Sequence, residues 1–334
     1  MGATVRLLLG GDAMLGRGVD AVLRERGAAY PFAPLAPLFA AADLRFVNLE
    51  CAITPRQARF AGAPKAFYFR ADPVAADALA AVGIDLVSLA NNHALDAGPD
   101  GLRDTFANLA QRGIRWAGAG TDVASAIAPC IVECQGQRIG VLACCDHQPD
   151  FAATARQPGI HYLDLDRKRD RETLIARTAA LARAVDHAVV SLHWMANWVP
   201  AIPPARRRLA HALVDAGARL VWGHSPHHVL GAEWCGASVV LYSTGNLLDD
   251  YALDPHYRND RQLLYRVELA AQGATALQAW PIELDYARTR PADAEAQRWL
   301  ARRLADACRA LGSDVLGHDG AFAIVPAGAT TQDA

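Results

Sequence analysis

The run Ile84-Asp85-Leu86-Val87-Ser88-Leu89-Ala90-Asn91-Asn92-His93-Ala94-Leu95-Asp96 changes character within a few residues. A strand-like apolar stretch ends abruptly in two amides, an imidazole and a carboxylate. Asn92 offers a neutral oxygen, His93 an acid or base that titrates near neutrality, and Asp96 a group to orient that ring. A segment built only for packing has no need of such a cluster.

The same event recurs along the chain. Val5 to Leu9 runs into a glycine-rich turn that places Asp12 just past a strand end. Leu44 to Leu49 carries Asn48 and runs into Glu50. Ala188 to Leu192 runs into His193-Trp194, Arg219 to Trp222 into His224 and His227-His228, and Ser238 to Tyr242 into a turn holding Asn246. Helical spacing separates these strands: Val74, Leu79 and Val82 before Gly83, then Leu102, Phe106 and Leu109 before Gly113. Asp72 and Asp293 stand where N-caps are expected. Ile127 to Cys134 and Arg138 to Cys145 read as a hairpin, and Pro149 to Asp164 as a long loop.

The chain has 334 residues, of which 52% are hydrophobic and 20% charged, enough for a sizeable core. A formal net charge of -2 gives no basis for a nucleic-acid or acidic-membrane binder. Seven cysteines without metal or redox spacing read as reduced and structural. No stretch reaches membrane-spanning length and no signal segment is evident, so a cytoplasmic location is expected. The expected domain spans 1–290. A C-terminal helix with a short extension, 291–326, packs on it, and a disordered tail, 327–334, follows.

In α/β sheets ligands gather beyond the carboxyl ends of strands. Asp12, Asn48 with Glu50, Asn92-His93, His193, and His224 with His227 can therefore converge. Carboxylate, amide oxygen and imidazole without thiolate suit one or two divalent ions such as Mn²⁺, Fe²⁺ or Zn²⁺. Asp146, His147 and Trp194, also at strand ends, and the nearby Trp198 are candidates for the substrate pocket, together with Asn48 and Asn246.

Six ordered blocks now carry a resemblance: Gly11-Asp12-Ala13-Met14-Leu15-Gly16-Arg17, Val47-Asn48-Leu49-Glu50, Leu89 to Asp96, Ser191-Leu192-His193-Trp194, Gly223-His224-Ser225-Pro226-His227 and Tyr242-Ser243-Thr244-Gly245-Asn246. Together they resemble the CapA family, named for capsule poly-γ-glutamate biosynthesis and related to calcineurin-like metallophosphoesterases. The resemblance implies an α/β metallophosphoesterase-like sandwich of two mixed β-sheets flanked by α-helices. It implies Glu50 as the bridging carboxylate. Asp12 and His227 would serve one ion, and Asn92, His193 and His224 the other. His93 would be the general acid, Asp96 would orient it, and Arg17 or Asn246 would hold a substrate anion. Met14 stands where phosphoesterases carry a histidine, and His224 and His227 are three apart rather than two, which leaves His228 as a rival to His227.

The activity expected on these grounds is a metal-dependent phosphatase. It would act on a small phosphomonoester or phosphodiester by metal-activated hydroxide attack, with a small anionic, phosphorylated substrate as its partner. The alternatives are a γ-glutamyl amide hydrolase or transferase linked to poly-γ-glutamate, and a non-catalytic binding protein of the same fold.

Overall fold

A computed structural model describes residues 4–318 and 320–329. Among these residues two large mixed sheets form the body. The first has ten strands. From one edge its main path runs Ser313–His318, Ala321–Pro326, Gly273–Leu284, Arg261–Ala270, Val5–Ala13, Leu44–Leu49, Leu86–Ser88 and Arg115–Ala117. The second has six, in the order Ala232–Cys235, Ser238–Leu241, Ala218–His224, His187–His193, Gln137–Cys145 and Cys130–Cys134. This is the expected two-sheet sandwich.

Side-chain alternation explains how the layers stack. Val189 and Leu220, on one face of the second sheet, join Leu7, Val47 and Leu264 of the first in a shared core. Their neighbours Val190 and Val221 point the other way. They meet Leu174 and Leu181 of the helix Lys168–Ala182, and Leu209 and Leu213 of the helix Pro204–Asp215. His187–His193 is buried along its whole length, as expected of a parallel strand covered on both faces.

Register then aligns the polar strand ends. Asp12 lies opposite Asn48 on one side and Asn246 on the other. Asn48 lies opposite Ser88, three residues before Asn91. In the second sheet His193 lies opposite His224.

Three local expectations change. Asp72 does not cap the helix Val74–Ala81; its carboxylate accepts from Arg70 at 2.7 Å, and Pro73 occupies the N-cap position. A guanidinium is a stronger partner than a backbone N–H. The segment from Pro149 to Asp164 contains a helical turn, Pro149–Phe151, and a strand, Gly159–Ile160, paired with Ala119–Gly120. The C-terminal extension is more than a helix. After Ala294–Arg309, which Asp293 caps by accepting from the N–H groups of Glu295 and Ala296, a hairpin joins the first sheet through Gly273–Leu284. Of the expected disordered tail, residues 330–334 lie outside the described residues. Residues 327–329 hold backbone hydrogen bonds to Gly312 and Pro326.

Candidate metal centre

Among the described residues, two groups of possible ligands meet where the sheets converge. Asp12, His193 and His224 form one, and Asp12, Glu50 and His227 the other; within each, the ligand atoms lie within 4.8 Å of one another. Asp12 is common to both, and Oε1 of Glu50 also lies 3.8 Å from Nε2 of His193 in the other group, so both carboxylates stand between the two. Asp12 sits in the strand flanked by Asn48 and Asn246, and Glu50 lies one residue beyond its strand.

The donor set fits cations. Asp12 and Glu50 are both buried, and Oε2 of Glu50 and Oδ1 of Asn92 have no hydrogen-bond partner. Orphaned buried oxygens of this kind are costly unless something positive approaches them. Burial, followed by repulsion from Asp12, raises the Glu50 carboxyl well above its usual range. Nδ1 of His193 lies 2.9 Å from Nδ1 of His224. Burial pushes His224 down to about 4 and His193 well below its ordinary value, so both rings are neutral and carry lone pairs. His227 behaves differently. Burial opposes its charge, but Glu50 and Asp12 outweigh that and push it up to about 9. His228 turns away, its Nε2 2.9 Å from the carbonyl oxygen of Val199, and His227 rather than His228 belongs to the ligand group.

Several residues expected to touch substrate instead hold this cluster. Asn48 donates to Oδ1 of Asp12 at 2.7 Å. Asn246 donates to Asp249 at 2.5 Å, and its carbonyl oxygen lies 2.8 Å from Nδ1 of His227. Trp194 is fully buried in the second core, stacked on Tyr242 and donating to its carbonyl oxygen at 3.0 Å. The pocket tryptophan is Trp198, four residues later. Asp146 pairs with Arg206 at 3.0 Å and with His147 at 2.6 Å, and His147 packs edge-on against His193.

Above the cluster lies a cavity of about 360 Å³, lined by Arg17, Phe69, His93, Trp198, His227 and Tyr251 among others. His93 presents Nε2 to it, because Nδ1 is 2.5 Å from Oδ2 of Asp96. Asp96 also accepts from the Phe69 N–H at 2.6 Å and from Lys65. Lys65 and Phe69 come from the irregular loop before Arg70, and the Phe69 ring stacks on His93 at 3.9 Å. Lys65 reads from sequence as a solvated charge. It is instead a nearly buried partner that also bonds the Asn92 carbonyl oxygen. Tyr251 carries no motif that would single it out.

Strain gathers here too. Nine described non-glycine residues have positive φ, and five of them, Arg17, Met195, Trp198, Ser225 and His227, lie in or beside this site. Such conformations cost roughly 1–3 kcal/mol each and persist where the surroundings over-determine them.

A two-sheet α/β sandwich with carboxylate, amide and imidazole side chains gathered at its strand ends is a metallophosphoesterase-like fold. Residues 6–251 match the family described as bacterial capsule synthesis protein PGA_cap, and the chain belongs to that family, the CapA family. It is 32% identical to a probable polyglutamine synthesis accessory protein of Mycobacterium tuberculosis, over 98% of each chain. The PGA biosynthesis protein CapA of Bacillus subtilis is 28% identical, covering 88% of this chain and 76% of that one. The capsule biosynthesis protein CapA of Bacillus anthracis is 26% identical, covering 84% and 68%. These names overturn the expected small-molecule phosphatase and favour the polyglutamate alternative. The ligand types alone could not separate the two, since a divalent ion polarises an amide carbonyl as well as a phosphoryl oxygen. Among the described residues, no helix is long and apolar enough to cross a membrane.

Proposed function

We propose that this protein is a metal-dependent enzyme of poly-γ-glutamate synthesis, cleaving or transferring γ-glutamyl amide bonds. The observation that carries the reading is the pair of ligand clusters sharing Asp12 directly beneath a cavity that His93 enters. The names of the relatives supply the polymer.

Asp12, Glu50, His193, His224 and His227 would hold the ions, with the Asn92 oxygen facing them. A bound divalent ion would polarise the amide carbonyl and make water a better nucleophile. The chain's own residues do the rest. Asp96, fixed by Lys65 and the Phe69 N–H, holds His93 through Nδ1 and leaves Nε2 for the departing amide nitrogen. Nε2 takes a proton from the attacking water, or from an incoming amine in transfer, as the new acyl bond forms, and gives that proton to the departing nitrogen as the carbon–nitrogen bond breaks. Phe69, stacked on His93, keeps water from that face of the ring.

The test is incubation of the Mn²⁺- or Zn²⁺-loaded protein with γ-linked glutamate oligomers, with α-linked oligomers beside them. Mass spectrometry should show shortened or extended chains in the γ-linked arm alone. Intact γ-linked oligomers under every metal, with and without an amine acceptor, would overturn the proposal.

A further inference from the structure

Arg17 lines two cavities. One is the reaction cavity. The other, of about 320 Å³, opens on its far side and is lined by Arg24, Arg59, Arg70, Tyr68 and Asp20 among others. The two differ in chemistry: aromatic rings dominate the first and guanidinium groups the second.

The cations of the second cavity are more exposed than most of their counter-charges, although Asp20 itself borders the cleft and Arg24 also pairs with Asp72 at 3.6 Å. The side chains of Arg17 and Arg24 are 40% and 57% exposed, whereas their partners Asp250 and Asp20 are 5% and 4% exposed. Arg70 is anchored by Asp72 and the Thr54 carbonyl oxygen. Arg59 stacks over the Tyr68 ring at 4.9 Å and has no carboxylate partner among the described residues. Asp96 also borders the cleft, but its oxygens are taken by His93, Lys65 and the Phe69 N–H. A guanidinium has five N–H donors, so one held from behind by a carboxylate still presents others to the cleft. Arg17 is held with φ +55°, a strained conformation for a side chain placed between the two cavities.

We infer that this arginine-lined cleft is a subsite for the α-carboxylates of the glutamyl residues next to the bond in the reaction cavity. The inference rests on the amide reading proposed above. A γ-linked chain has five backbone bonds per residue instead of three, so successive free carboxylates recur at roughly 6 Å along an extended strand. The cleft offers several separate guanidiniums to such a series of carboxylates, and Arg–carboxylate pairs can be bidentate. A single small anion would need only Arg17.

The experiment is fluorescence anisotropy with a dye-labelled γ-linked glutamate decamer and a γ-linked dimer, on metal-loaded protein. Wild type should bind the decamer more tightly, and salt should weaken that binding. Arg59→Gln should weaken decamer binding about threefold, and Arg24→Gln with Arg59→Gln about tenfold or more, with a smaller effect on the dimer. Circular dichroism of each variant checks folding; Arg59, exposed and without an ion pair, is the safer of the two. Decamer binding indifferent to both substitutions would overturn the subsite, as would equal binding of an inorganic polyphosphate with the same arginine dependence. Failure of the amide reading has a different signature. Arginine-dependent decamer binding without any cleavage or transfer would keep the subsite and remove the reaction. Cleavage with arginine-independent binding would do the reverse.

Discussion

Asn91 donates from its side-chain nitrogen to Oδ1 of Asn48 at 3.0 Å, and Asn48 in turn donates to Oδ1 of Asp12 at 2.7 Å. The same Asn91 nitrogen reaches the Leu49 carbonyl oxygen, and its oxygen accepts from the His93 N–H. One amide thus ties Asp12, common to both ligand groups, to the backbone of His93.

Replacing it tests that link. Asn91→Ala leaves the Asn48 oxygen and the His93 N–H buried without partners. The expected cost is about 1–3 kcal/mol of stability, read by thermal or urea unfolding. Loosened positioning of Asp12 should also weaken metal binding by about 10–100-fold, as measured by titration calorimetry. Wild-type metal affinity in the variant would mean that Asn91 only supports the turn.

His93 and His193 are predicted to separate chemistry from ligation. His93→Ala should keep its metal, counted by elemental analysis, and lose about 10²–10⁴-fold in turnover on γ-linked oligomers. His193→Ala removes a ligand from one of the two clusters and should lose metal. Metal loss in both variants would place His93 among the ligands.

A third group, His211, Glu233 and Cys235, has the spacing of a metal site. Its geometry predicts otherwise. Glu233 already bonds Arg207 at 2.7 and 3.2 Å, the Tyr242 hydroxyl at 2.6 Å and His211 at 2.9 Å. No lone pair is left over for an ion. His211→Ala with Cys235→Ser should leave the metal content at the wild-type value. Glu233→Ala should instead destabilise by about 1–3 kcal/mol, mainly because the buried Tyr242 hydroxyl loses its partner, while Arg207, 39% exposed, stays solvated. A drop in metal content in the His211/Cys235 variant would reverse this assignment.

These networks also explain what the sequence could and could not reveal. That Asp12, Glu50, Asn92, His193, His224 and His227 could meet was legible because each lies at or just beyond the carboxyl end of an apolar strand, and parallel strands bring those ends to one edge. Lys65, Phe69 and Tyr251 were not. They lie in irregular segments whose path is set by tertiary contacts, such as the Phe69 N–H meeting Asp96, and no periodicity encodes those contacts. Trp194 misled for a related reason. It adjoins His193, but alternation along the chain sends its ring into the second core beside Tyr242.

His161 supplies a prediction away from the site. It is buried, and its Nδ1 lies 2.7 Å from the Ala143 carbonyl oxygen, while Nε2 has no partner. Burial pushes its pKa down to about 4, against an ordinary value of 6.5, despite the opposing pull of that carbonyl. The unfolded chain therefore binds a proton at His161 between these values while the folded chain does not. By linkage, this contribution to stability is fully present above about 6.5 and is lost as pH falls toward 4. The shift corresponds to roughly 3 kcal/mol at its limit, at 1.36 kcal/mol per unit. His224 and His228, also pushed down to about 4, titrate over the same window, so the wild-type slope is a sum. Substitution isolates the share of His161. Urea unfolding at intervals from pH 7 to 4.5 should give a shallower loss for His161→Gln than for wild type, whatever the variant's stability at pH 7. Parallel curves would show that the ring takes up its proton without cost in the folded protein.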